Sequence, residues 1–102
     1  MKEYDLFIPL YYNDGTHVEP AKLQDLQRRL LDRFEGLTYF PQPNQGFWKL
    51  GDTTFRDEIV IYRLLSQDPT SARDFLTALK AHLKKEFRQH EILIIEREIG
   101  VL

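Results

Sequence analysis

The residues best suited to chemistry in this chain are few and scattered. His82 and Glu86 stand four apart in a segment with helical periodicity, a spacing at which a carboxylate can orient an imidazole as a general base. The same spacing describes an ordinary surface pair, which is the better account because no third partner accompanies it. His17 and His90 have no second ligand at metal spacing, and "HLKKE" is not the H-E-x-x-H of zinc proteases. The absence of cysteine excludes disulfides, thiolate metal sites and a cysteine nucleophile. No glycine-rich phosphate loop follows a strand, and no G-x-S-x-G elbow is present. Asp14 sits in "NDG", where turn formation explains it better than the first-strand acid of small CRISPR-associated ribonuclease folds. Neither a metal nor a cofactor is expected.

One constellation remains. Glu58 opens "DEIVIYRLL", and alternation places it beside Val60 and Tyr62 on one face of a sheet. A carboxyl pointing into an apolar face must find a donor or take up a proton. Arg56, Tyr62 and Trp48 are the donors within reach. A ligand site here would be bounded by Trp48, Glu58 and Tyr62, with Tyr11 across the neighbouring strand. The plainer reading of Trp48 is an anchor that ties its loop to the core or to a second subunit.

These side chains depend on the elements that carry them. "YDLFIPLYY" over Tyr4–Tyr12 is rich in aromatic and branched residues and ends at a turn, so it reads as a strand, with Pro9 marking a bulge or an unpaired position. Pro20 opens a helix running to about Glu35, whose apolar stripe is Leu23, Leu26, Leu30 and Phe34, with Gly36 as its left-handed terminator. Leu37–Phe40 and Asp57–Leu65 read as the second and third strands, joined over 41–56 by an extended hairpin-like loop whose departing arm Pro41 and Pro43 stiffen. A second helix begins near Ser71 and Asp74, which have capping-box spacing, and buries Ala72, Phe75, Leu79, Leu83 and Phe87. "EILIIEREIGVL" supplies a fourth strand.

The order β-α-β-β-α-β predicts a single α+β domain over residues 1–102, ferredoxin-like, with a four-stranded antiparallel sheet, two helices on one face, and the first and third strands central. The other face should be wet and therefore polar. Instead Ile59 and Ile61 oppose Val60 and Tyr62, and Phe7 and Pro9 oppose Leu6 and Ile8. A face of that kind exceeds what soluble monomers expose. Its expected cover is a second copy of the chain, giving a homodimer, with the 41–56 loop folded over the sheet as the alternative.

A formal charge of −2 offers no basic footprint for nucleic acid. The third strand also lacks the aromatic pattern of RNA-recognition sheets. No apolar run approaches the ~20 residues of a membrane span, and the N-terminus lacks a secretory h-region, so a soluble cytoplasmic domain is expected.

Phe34, Gly36-Leu37-Thr38, Gly46, Trp48 and Glu58 resemble the "F-x-G-L-T … G-x-W … E" signature of an uncharacterised bacterial family, over most of the chain from the first strand to Gln89. Here Phe47 separates Gly46 from Trp48, and "PQPNQ" lengthens the connection. The resemblance implies a shared fold and carries over no activity. Two function classes follow from the residues: a homodimeric, non-catalytic binding or interaction module, or a small-molecule-binding protein or enzyme of the dimeric α/β-barrel type with its pocket on the helix-free face.

Overall fold

The computed structural model describes residues 1–102. Its elements run β1 (Lys2–Pro9), α1 (Pro20–Arg33), β2 (Gly36–Leu50), β3 (Thr53–Ser66), α2 (Pro69–Glu86) and β4 (Leu93–Glu98). All strand pairs are antiparallel, and the sheet order is β2-β3-β1-β4, so β1 and β3 are central. This is the ferredoxin-like α+β arrangement expected from the element order.

The helix-facing side of the sheet is built by Tyr4, Leu6 and Ile8 of β1 and by Val60, Tyr62 and Leu64 of β3, all essentially inaccessible. Leu26, Leu30 and Phe34 of the α1 segment pack on them, together with Ala72, Leu76, Leu79, Leu83 and Phe87 of the α2 segment. Phe75 lies at the edge of this core, edge-on to Phe34 with ring centroids 5.7 Å apart.

The caps differ from the sequence expectation. Asp68, not Ser71, caps α2: its carboxylate accepts from the Ser71 amide at 3.2 Å, and Pro69 follows in the first turn. The Ser71 hydroxyl instead meets the Arg33 guanidinium, tying the two helices together. Nor is Gly36 left-handed. Helix α1 ends in an extended Phe34, and Gly36 opens β2. The left-handed terminator of the chain is Arg88 (φ 52°), after α2. There the Gln89 and Arg88 amides donate to the Lys84 and Lys85 carbonyls at 2.9 and 3.2 Å, closing a Schellman motif.

The largest departure lies at 41–56, which is no loop. Strands β2 and β3 run on as one long hairpin closed at Gly51-Asp52, where Gly51 takes φ +61°. Pro41 and Pro43 fall in the register shift between Phe40 and Asn44, on an edge strand, where a missing amide leaves no ladder bond unmade. Sequence punctuation that reads as a loop is here a bulge within a strand. Pairing of β1 to β3 stops at Pro9–Ile59, so residues 44–58 project past β1 as a two-stranded ribbon. Pro9 itself ends β1. Its nitrogen points to the β4 side, where pairing already stopped at Phe7–Leu93.

Candidate functional site

Antiparallel partners share a sheet face, so the register sorts the predicted site residues. Tyr62 points under the helices, 1% exposed and stacked on Tyr39 with centroids 4.7 Å apart. Burial, with Tyr39 alongside, pushes the Tyr62 phenol well above its ordinary pKa. Glu58 shares that parity, is half-buried, and makes no side-chain hydrogen bond or ion pair. Trp48 pairs with Phe55 and lies on the opposite, helix-free face. Tyr11 sits beyond the end of β1, its ring 4.1 Å from that of His17. The sheet thus separates Trp48 from Tyr62, and the four residues do not converge. His82 and Glu86 form no ion pair either. The Glu86 carbonyl accepts from Lys22 at 3.0 Å.

The acid that meets Trp48 is Asp57, one residue before Glu58. The indole Nε1–H donates to Asp57 Oδ2 at 2.7 Å, and the indole stacks on Phe55 at 4.4 Å. Trp48 pairs with Phe55, and Asp57 is the next residue of β3 on the same face. The register was the missing signal. It depends on the two extra residues of the bulge, which the sequence does not place.

The helix-free face divides along the strands. Near the start of β1 lies an ionic network. Asp5 is 2% exposed although it faces away from the helices. Arg63 grips it through two bonds of 2.9 and 3.0 Å, and Arg97 adds a third at 2.8 Å. Glu3 joins both guanidinium groups, at 3.3 Å to Arg63 and 3.1 Å to Arg97. The hydrogen bonds from Arg63, with those from Arg97, hold the Asp5 carboxyl below the usual carboxylate range despite the opposing effect of burial. Arg63 also lies over the Phe40 ring at 5.1 Å. The register makes this set intelligible, because Asp5 pairs with Arg63 and Glu3 with Arg97 across the ladders.

Toward the other end of the strands the face is an apolar groove of about 590 Å³. Its floor is Phe7, Pro9, Ile59, Ile61 and Leu93, and the ribbon raises Trp48 as one wall. Asp57, Glu91 and the amides of Asn44, Gln45 and Gln89 supply its polar atoms. The ribbon walls the groove without roofing it: Phe40, Phe55 and Leu93 remain 37%, 37% and 51% exposed. The expectation that residues 41–56 cover the sheet is therefore not met, because those residues extend the sheet.

No group of three His, Cys, Asp or Glu side chains is placed to hold a metal ion, and no helix is long and apolar enough to cross a membrane. Compared with models of known protein families, with curated proteins and with solved structures, the chain matches none. Its class accordingly rests on the fold alone: a ferredoxin-like α+β domain with an extended β2–β3 ribbon and an open apolar groove on the helix-free face.

Proposed function

We propose that this protein is a homodimeric, non-catalytic binding module whose subunits meet through their helix-free sheet faces. One observation carries the reading: three aromatic or aliphatic side chains, Phe40, Phe55 and Leu93, remain exposed around one face. Scattered exposed apolar residues are normal, whereas a contiguous set around a groove marks an interaction surface. The face also suits a copy of itself. A two-fold axis running along β1 would set groove against groove and ionic end against ionic end. The ionic end carries two acids and two arginines, so it is neutral and does not repel its own image. The perpendicular axis would seat each charged network on an apolar groove and is disfavoured by desolvation. No nucleophile, base and oxyanion donor converge on this face, which favours binding over catalysis.

Light scattering on a sizing column tests this. The native chain should elute at twice 12.2 kDa at micromolar concentration. Leu93→Lys should elute as a folded monomer, because Leu93 is half-exposed in a single subunit and its replacement leaves the core intact. A native monomer throughout that range would refute the proposal, as would a Leu93→Lys dimer of undiminished affinity.

A further inference from the structure

We propose that the groove binds a small organic amine, a protonated ammonium group on an aromatic or branched apolar body. This goes beyond the dimer reading and does not depend on it. The argument is charge complementarity. No lysine or arginine lines the groove, while two carboxylates do. Glu91 is already paired, to Lys80 at 3.0 Å. Asp57 has no cationic partner in the chain; its one side-chain bond is from the neutral Trp48 indole to Oδ2, which leaves Oδ1 without a donor. A half-buried carboxylate on an apolar wall gains most from a charged donor, because few waters compete for it.

The neighbouring aromatic ring points the same way. Trp48 is locked by its bond to Asp57 and by its stack on Phe55, so carboxylate and π-system are fixed side by side. The indole meets Asp57 through its N–H edge, so the carboxylate alone would hold the ammonium, and the ring adds apolar surface for the body of the same ligand. An anion would meet only carboxylates, carbonyls and the amides of the rim. The floor of Phe7, Ile59, Ile61 and Leu93 has no polar side chain, so the remainder of the ligand must be apolar. A volume of about 590 Å³ matches the range of small-molecule sites, about 300–1,000 Å³.

The test compares three probes that share one body: 2-phenylethylamine, 2-phenylethanol and phenylacetate. Binding is followed by Trp48 fluorescence and, independently, by amide chemical shifts of residues 44–59. The amine should bind at least about tenfold more tightly than the alcohol, the usual effect of a charge-assisted hydrogen bond, and phenylacetate more weakly than either. Asp57→Asn keeps the side-chain shape and an oxygen to accept the Trp48 N–H. It should lower amine affinity to that of the alcohol and leave the alcohol unchanged. The proposal is overturned by equal affinity for amine and alcohol, by tightest binding of phenylacetate, or by an amine preference that survives Asp57→Asn. It is equally overturned if no probe gives a saturable change in either signal at millimolar concentration. Light scattering on the same samples reports the dimer separately, so either proposal can fail alone.

Discussion

Asp5→Asn isolates the ionic network, the best-defined polar feature of the helix-free face. Breaking a buried ion pair by removing one partner typically costs about 3–5 kcal/mol. Here the side chain removed is 3% exposed, but Arg63 and Arg97 are 39% and 44% exposed and can rehydrate. Glu3 also continues to pair with both. Solvent screening therefore brings the expected loss to roughly 2 kcal/mol. For a domain of this size that lowers Tm by roughly 8–16 °C. The pH dependence carries a sign. The folded-state pKa of Asp5 is depressed, chiefly by hydrogen bonds from Arg63, so the stability it contributes is present above its unfolded pKa of about 3.9 and lost as pH falls through the folded value. The gap between native protein and variant should thus be constant near neutrality and shrink below about pH 4. Circular-dichroism melts at pH 7 and about pH 3, at matched protein concentration, measure both quantities. A neutral-pH shift below about 2 °C, or a gap that widens in acid, would refute the reasoning.

Three further outcomes are expected. Leu6→Ala empties a fully buried position on a central strand and should cost about 2–5 kcal/mol in urea unfolding; a loss below about 1 kcal/mol would contradict its place in the core. Gly51→Val should cost about 1–2 kcal/mol because φ +61° crowds a β-branched side chain, whereas Gly46→Ala should stay within about 0.5 kcal/mol, since an added Cβ meets nothing nearer than the Asp57 carbonyl at 3.9 Å. Asp68→Ala should cost about 1 kcal/mol and increase hydrogen exchange in the first turn of α2, while Asp74→Ala should do neither.

The element order and the two helical stripes were legible because each rests on local periodicity. Leu26, Leu30, Leu79 and Leu83 are buried where their spacing places them. The doubly apolar character of β1 and β3 was legible too, but only in part. Phe7 and Ile61 carry it, while Asp5 and Arg63 on the same face become a matched pair only once the strands are aligned. What failed was everything that depends on register. Pro41, Pro43 and Gly46 read as loop residues, yet they belong to an edge strand whose partner ladder tolerates a bulge. The two-residue bulge keeps side-chain parity but slides Trp48 opposite Phe55, which brings Asp57, on the same face, beside it, while Glu58 lies on the other face. The parity of Glu58 with Val60 and Tyr62 was read correctly, but it leads beneath the helices, away from the groove.

The proposed dimer turns most directly on which surface would join two copies of the chain. An isotope-filtered NOE experiment on a dimer made from equal parts labelled and unlabelled protein detects contacts between subunits and nothing else. Phe40, Phe55 and Leu93 should give intermolecular NOEs, whereas Leu31, an exposed apolar residue on α1, should give none. Intersubunit NOEs confined to the helices, or a mixed sample with none at all, would contradict the central claim.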